Sequence, residues 1–152
     1  MLFGFFWRMS GSVDDSEDLV QTVFYQILKN RTQFKGKGKF SSWMFQIAHN
    51  LWADHYKKNH KTVLKNDMER WELKEILNAD EQIDKEEQLS HLRNALYLLD
   101  DDRKEVLILS RFLGMKYREI AKITDSTEGA VKTKVFRALT DLREQFSKIE
   151  NR

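Results

Sequence analysis

The chain has 152 residues, 41% of them hydrophobic, so it is long enough to bury a core, and its formal net charge is +2. It contains no cysteine, which excludes a disulfide framework and a thiolate metal site. No apolar run approaches the roughly 20 residues that span a bilayer, and the apolar start lacks a basic leader and a small-residue cleavage site, so we expect a cytoplasmic protein without membrane insertion.

The first long predicted element is an amphipathic helix over residues 14–30. Acids stand in its first turn, where the helix dipole favours them. Its predicted apolar face consists of Leu19, Val23, Phe24, Ile27 and Leu28. Because proline is absent and glycine occurs only 6 times, helices are favoured nearly throughout, and the predicted fold is all-α.

A second helix is predicted at about 42–58, after a break at Gly36 and Gly38. Ser41 or Ser42 is its predicted N-cap. The following residues are polar and acidic with weak periodicity. They predict a flexible acidic linker over residues 61–87, which joins one small helical domain at 1–60 to another at 88–150.

The second domain is predicted to contain helices at 89–99 and 102–112, followed by a helix-turn-helix. In this motif a helix from Tyr117 to about Thr124 precedes a turn at Asp125, a residue that tolerates the left-handed backbone conformation. Thr127 is the predicted N-cap of the next helix. Four residues at helical spacing are predicted to face the core from that helix: Val131, Val135, Leu139 and Leu142.

The last of these helices carries basic and hydroxyl side chains near its N-terminus, which suits the major groove of DNA. The residues predicted to contact DNA are Thr127, Lys132, Thr133, Lys134, Phe136 and Arg137. An ordinary helical hairpin with a solvated basic face is the alternative interpretation of this segment.

Charge is strongly segregated along the chain. Residues 29–65 contain nine basic side chains against one acid, whereas residues 66–90 contain three basic side chains against nine acids. A basic block of this density indicates a polyanionic partner.

The basic block is also aromatic, and aromatic rings provide surfaces on which unstacked bases can lie. Lys35, Lys37 and Lys39 alternate with glycines in a loop that can approach a backbone closely. The alternative is that aromatic residues such as Trp43, Phe45 and Trp52 simply form the core.

Two blocks of residues resemble the extracytoplasmic-function group of sigma factors, the smallest members of the sigma-70 family of bacterial transcription initiation subunits. The first block is Asp18-Leu-Val-Gln-Thr-Val-Phe24, followed by Phe40, Trp43, Ile47, Ala48, Asn50 and Asp54. The second comprises Arg103-Lys-Glu-Val-Leu107, Tyr117-Arg-Glu-Ile-Ala121 and Glu128-Gly-Ala-Val-Lys132. Their order and spacing make the combined resemblance highly specific.

The resemblance implies a non-enzymatic subunit that directs core RNA polymerase to promoter DNA, with an anti-sigma factor as a further partner. It implies that the first domain docks on the polymerase clamp through Asp18, Leu19, Gln21 and Phe24. It also implies that this domain recognises and melts the downstream promoter element. The candidates for that role are Lys35, Lys37, Lys39, Trp43, Gln46, His49, Asn50, Lys57 and Lys58. The second domain is implied to read the upstream element.

The chain departs from the family pattern at three places. Relatives usually carry further helical residues before the point where this chain begins, so Met1 to Met9 is expected to be the tail of a first helix. Leu99-Asp100 replaces the common Leu-Pro, a mild change because Asp is also a good N-cap. Lys132-Thr-Lys134 replaces a more usual Arg-rich version, which weakens bidentate guanine recognition because Lys acts as a point charge.

Other functions are less well supported by the residues. His49, His55 and His60 share no single helical face, so we expect no metal site and no cofactor. No nucleophile motif or phosphate-binding glycine loop points to an enzyme. A stand-alone helix-turn-helix regulator leaves the basic aromatic block unexplained, and a non-initiating decoy or adaptor for an anti-sigma factor remains a second alternative.

Overall fold

The computed structural model describes residues 1–59 and 83–152, and the described part of the chain is helical without any strand. Its α-helices are α1 (Leu2–Ser10), α2 (Val13–Lys29), α3 (Phe40–Asn59), α4 (Ile83–Tyr97), α5 (Asp101–Leu107), α6 (Tyr117–Ile123) and α7 (Glu128–Glu150). A π-helical turn, Ile108–Phe112, continues α5. The predicted all-α fold is confirmed. No helix in these two ranges is long and apolar enough to cross a bilayer.

Helices α1 to α3 form a first helical unit around an aromatic core. Phe5 of α1 contacts Phe45 of α3 edge to face, with ring centroids 5.5 Å apart, and both rings are buried. Val23 of α2 is buried in the same core cluster, and α2 contacts both α1 and α3. The hydroxyl of Ser12 accepts a hydrogen bond from the Asp15 backbone N–H and thereby caps α2.

Helices α4 to α7 form a second helical unit, and its helix-turn-helix follows the predicted pattern. Asp125 has a φ of 50°, which places it in the left-handed region as predicted for the turn. The hydroxyl of Thr127 accepts a hydrogen bond from the Ala130 backbone N–H at 3.1 Å, so the predicted N-cap is confirmed. Val131 and Val135 of α7 and Ile120 of α6 are buried in the same core cluster, and the two helices of the motif contact each other.

Several predicted helix details were wrong. Helix α3 begins at Phe40, so Ser41 and Ser42 lie inside the helix and do not cap it. Helix α4 begins at Ile83, because the charged residues after it favour helix formation even without a strong apolar face. The linker was predicted to be flexible over residues 61–87; residues 61–82 lie outside the described ranges, and residues 83–87 belong to α4.

The two units pack against each other and share one continuous buried cluster. Helix α1 contacts α4, α5 and the π-helical turn, while α3 contacts α6. Two cation–π contacts cross the boundary: the Arg8 guanidinium lies 4.5 Å from the Phe112 ring centre, and that of Arg93 lies 5.8 Å from the Trp7 ring centre. The packing therefore fixes the orientation of α3 relative to α5 and α6.

Candidate nucleic-acid interface

One face of α7 is open to solvent along the predicted recognition residues. Lys132, Thr133, Phe136 and Arg137 are all exposed, and their spacing places them on one side of the helix. Phe136 is 72% exposed although it is a large apolar side chain. An isolated aromatic ring among basic and hydroxyl groups is suited to a thymine methyl group in the major groove.

Two further predicted residues of this helix have different surroundings. Thr127 lies at the exposed N-terminus of α7, where its hydroxyl oxygen already caps the helix. Lys134 is only partly exposed, and its Nζ lies 4.0 Å from Oδ2 of Asp102 on α5. Lys134 therefore lies beside the face of the other four residues and is better placed for a phosphate than for a base edge.

The loop before α3 presents three lysines to solvent. Lys35, Lys37 and Lys39 are exposed, and the intervening Gly36 and Gly38 have φ values of 72° and 84°. A side chain at either glycine would meet no other atom, so the requirement for glycine comes from the backbone conformation. The loop thus has the charge and the geometry to follow a phosphate backbone.

An aromatic cluster lies at the base of this loop and consists of Phe34, Phe40 and Trp43. The Phe34 ring centre lies 5.5 Å from that of Phe40 and 5.3 Å from that of Trp43. Phe40 is 46% exposed and Trp43 is half-buried, whereas Phe45 and Trp52 belong to the core. The core interpretation of the aromatics is therefore right for Phe45 and Trp52, while the loop cluster keeps an exposed aromatic surface.

Of the remaining candidates on α3, some are exposed and others are hydrogen-bonded to the second helical unit. Asn50, Lys57 and Lys58 are exposed. The Gln46 side-chain amide donates to the backbone carbonyl of Lys122 at 3.2 Å. His49 Nδ1 lies 2.7 Å from Oε1 of Glu105. The structure therefore does not bring all nine downstream candidates together on one open surface.

The His49–Glu105 pair is partly shielded from water. The Glu105 side chain is only 5% exposed, and that of His49 is 24% exposed. The hydrogen bond to Glu105 raises the pKa of His49, although burial of the ring opposes this increase. The protonated imidazole is therefore favoured in this arrangement.

Helix α2 carries the predicted polymerase-binding residues, and three of the four are accessible. Asp18, Gln21 and Phe24 are exposed. Leu19 is 7% exposed and packs in the core, so its side chain is not part of that surface. The predicted apolar face of this helix is buried only in part, because Phe24 and Leu28 are 53% and 64% exposed.

Sequence reasoning also missed the residues that face α3 from the second unit. Asp101 Oδ2 accepts a hydrogen bond from Trp52 Nε1 at 3.0 Å, and Glu119 Oε1 lies 2.7 Å from Lys39 Nζ. Together with Glu105, these carboxylates face hydrogen-bond donors and basic side chains of the first unit. No local pattern indicates such contacts, because the partners are 49 or more residues apart along the chain.

Comparison with known proteins agrees along nearly the whole chain. Residues 1–62 match the family described as Sigma-70 region 2, and residues 90–142 match Sigma-70, region 4. The ECF RNA polymerase sigma factor EcfG of Rhodopseudomonas palustris (strain TIE-1) is 31% identical over 134 residues, which cover 88% of this chain and 72% of that protein. The RNA polymerase sigma factor HrpL of Pseudomonas syringae pv. syringae is 28% identical over 151 residues, which cover 95% of this chain and 80% of that protein.

A solved structure has the same fold. The sigma factor RpoE from Bartonella quintana, in complex with the anti-sigma factor NepR, aligns with a TM-score of 0.74 at 24% identity. The alignment covers 96% of this chain and 89% of that chain.

Proposed function

The chain belongs to the extracytoplasmic-function group of the sigma-70 family of RNA polymerase sigma factors, and on that premise we propose that three of its surfaces share promoter-specific initiation. The α2 surface binds core polymerase, the open face of α7 reads the upstream promoter element, and the loop with α3 contacts the downstream element as it melts. The subunit acts in the cytoplasm and performs no catalysis, since the polymerase itself joins the nucleotides.

The open face of α7 is the observation that carries this proposal. Its exposed lysine, threonine, phenylalanine and arginine side chains lie on one side of a helix whose opposite side is held by buried Val131 and Val135. A recognition helix of this kind inserts its N-terminal half into the major groove while the preceding helix crosses the backbone. Thr133 also donates its hydroxyl to the Gly129 carbonyl, which leaves its oxygen lone pairs available to a base donor.

The α2 surface combines an apolar strip with acid and amide groups. Phe24, Tyr25 and Leu28 are 53%, 62% and 64% exposed, and Asp18 and Gln21 are exposed beside them. Exposed apolar side chains next to polar groups are typical of a protein interface. A partner helix with basic side chains complements this surface, and we take that partner to be the clamp of the polymerase.

The loop and α3 are suited to single-stranded DNA. Three exposed lysines attract the phosphates, and the Phe34–Phe40–Trp43 cluster offers a ring surface on which a flipped base stacks. Asn50 supplies an exposed amide on the same helix for hydrogen bonds to a base edge.

We also propose an anti-sigma factor as a regulatory partner. The Bartonella quintana relative was solved in complex with one, and this chain has the same fold over 96% of its length. The exposed apolar strip on α2 is a surface that such a partner would have to cover in order to prevent polymerase binding.

A mobility shift on a promoter library, at about 0.15 M salt with and without core polymerase, tests the proposed function. We expect sequence-specific binding and run-off transcription only with the core enzyme, because the free chain has only salt-sensitive affinity for DNA. Gln21→Lys should abolish both, whereas Asn151→Lys makes the same change at an exposed position at the end of α7 and should keep them. Tight specific binding by the free chain would instead identify a stand-alone regulator.

A further inference from the structure

An apolar groove lies between α4 and α7 of the second helical unit. Its volume is about 500 Å³, within the range of roughly 300–1,000 Å³ that is usual for small-molecule sites. These two helices supply its lining residues: Lys85, Gln88, Leu89, Leu92, Leu142, Arg143 and Phe146. On α7 the lining begins at Leu142, so the groove lies beyond the residues proposed to read the upstream element.

The groove forms because the apolar stripes of both helices continue past the core. On α4 the stripe runs from buried Leu96 back to Leu92 and Leu89, at spacings of four and three residues. On α7, Leu142 and Phe146 extend the stripe in the same way. Leu89 is 50% exposed and the other three are partly buried, so apolar surface stays accessible between the helices.

The walls of the groove are held in place by packing within the second unit. The Phe146 ring contacts the His91 ring edge to face, with ring centres 6.5 Å apart. Leu142 packs against the buried core, and α4 and α7 contact each other. The groove is therefore preformed, as small-molecule sites usually are.

Each wall also carries a basic side chain. Lys85 on α4 and Arg143 on α7 are exposed, and Gln88 adds an amide beside them. Among the residues that the structure describes, neither basic group has an ion-pair partner. None of the lining residues is acidic. Cations beside apolar surface complement a carboxylate that carries an alkyl chain, because the charges pair and the chain leaves water.

We propose that this groove binds a monomeric medium-chain fatty acid anion. Its carboxylate pairs with Lys85 and Arg143, and its alkyl chain lies along Leu89, Leu92 and Phe146. One alkyl chain suits the volume of the groove, whereas an α-helix with its side chains is about 10–12 Å across and needs a longer apolar trough. The lining residues belong to none of the surfaces proposed for DNA or polymerase, so this site and the sigma-factor function are tested separately.

Calorimetric titration of the full chain with three ligands of equal chain length tests the charge requirement. The ligands are decanoate, decanol and decyltrimethylammonium, each below its critical micelle concentration. We expect decanoate to bind at one site and decanol to bind about tenfold more weakly, which corresponds to about 1.4 kcal/mol. Decyltrimethylammonium should bind more weakly still. Equal affinity for decanoate and decyltrimethylammonium would overturn the proposal.

The same titration with octanoate tests the apolar part of the site. Decanoate should bind more tightly than octanoate, by up to about fourfold for each added CH₂ group that lies on the groove. Equal affinity for the two acids would show that the alkyl chain stays in water and would overturn the proposal.

Two variants with matched controls locate the ligand. Leu89→Gln should weaken decanoate binding about tenfold, whereas Leu98→Gln, at a position 58% exposed just after α4, should not.

Lys85→Gln with Arg143→Gln should weaken decanoate binding to a similar extent and leave decanol binding unchanged. Lys29→Gln with Arg31→Gln makes the same charge change at exposed positions of the first unit and is its control. Because Lys85 and Arg143 are exposed, this variant should fold and decides the question even if Leu89→Gln does not fold. Unchanged decanoate affinity in the Lys85 and Arg143 variant would refute the site.

Methyl NMR spectra of the full chain distinguish the proposed ligand from other occupants. Decanoate should shift the methyl signals of Leu89, Leu92 and Leu142 and leave that of Val23 in the first unit unchanged. Shifts throughout both units, or binding of several equivalents, would show detergent-like action and overturn the proposal. A synthetic peptide of residues 66–82, which is acidic and contains apolar residues, is the competitor. Displacement of decanoate by less peptide than decanoate would assign the groove to a protein segment and refute the small-ligand site.

Discussion

The two surfaces proposed to contact DNA differ in their availability. On α7, Lys132, Thr133, Phe136 and Arg137 are exposed, and the core lies on the opposite side of the same helix. On α3, two of the predicted residues are held by hydrogen bonds to the other helical unit. The exposure of the α7 side chains follows from the periodicity of that helix itself. By contrast, the accessibility of the α3 side chains depends on a separate part of the chain.

The largest effect should come from the open face. Lys132→Ala with Thr133→Ala should cost about 1–3 kcal/mol per lost base contact and relax the preference for the upstream element. Affinities of the polymerase complex for a set of single-base promoter variants would measure this. Lys148→Ala, on the last turn of α7, is the control and should change neither quantity.

The alternative outcome would change the assignment of these residues. If Lys132→Ala and Thr133→Ala weaken all promoter sequences equally, both residues contact the backbone and carry no specificity. Lys134→Ala is expected to behave in that uniform way, because Lys134 is partly buried beside Asp102 and lies off the open face.

Loss of one ring from the aromatic cluster beside the loop should weaken contact with the melted strand by an amount comparable to the loss of one base contact on α7. Phe40→Ala removes one ring from the surface proposed for a flipped base, and base stacking is worth about 1–3 kcal/mol per base. Permanganate reactivity of thymines in the opened region should fall. Phe3→Ala removes a similarly exposed phenylalanine, 42% exposed, from α1 and serves as the control for a general loss of aromatic surface.

The lysines of the loop should have a smaller effect that depends on salt. Lys37→Ala should reduce the slope of the logarithm of DNA affinity against the logarithm of salt concentration by about 1, the contribution of one phosphate contact. Lys39→Ala should reduce this slope less, because the ammonium group of Lys39 also pairs with Glu119. Unchanged promoter opening and an unchanged slope in both variants would refute the role of the loop.

The sequence predicted the elements whose determinants are local. Asp125 at the turn, Thr127 at the N-cap and the buried Val131 and Val135 all depend on neighbours within a few residues or on helical spacing. The exposed face of α7 follows directly from that spacing. These are also the residues from which the resemblance to the family was recognised.

The sequence did not predict which apolar residues are left exposed or which acids are buried. Phe24 and Leu28 continue the apolar pattern of α2, but the packing of α2 on α1 and α3 buries Leu19 and Val23 and leaves both of these side chains exposed. Glu105 is buried because His49, 56 residues earlier in the chain, supplies a partner. Contacts at such separation depend on how the two helical units pack, which no local pattern indicates.

The smallest predicted effect is a pH dependence of the stability of the folded chain. The hydrogen bond to Glu105 raises the pKa of His49 above its ordinary value of about 6.5 in the folded chain. The charge of Asp102 acts in the same direction, whereas burial and the charge of Lys134 on α7 oppose it. Because unfolding separates His49 from Glu105, the ring should then return towards its ordinary pKa.

The folded chain binds the His49 proton more tightly than the unfolded chain, so the full stabilisation by the His49–Glu105 pair is present below the unfolded-state pKa. This stabilisation is lost as the pH rises through the raised folded-state pKa. The free energy of unfolding in urea should therefore be larger at about pH 6 than at about pH 8.5, on either side of the ordinary range for histidine. Glu105→Gln should flatten this dependence, while His55→Gln should retain it, because His55 lies 4.0 Å from Asp15 within the first unit. An unchanged pH dependence in the Glu105→Gln variant would show that the His49–Glu105 pair does not stabilise the packing of the two units.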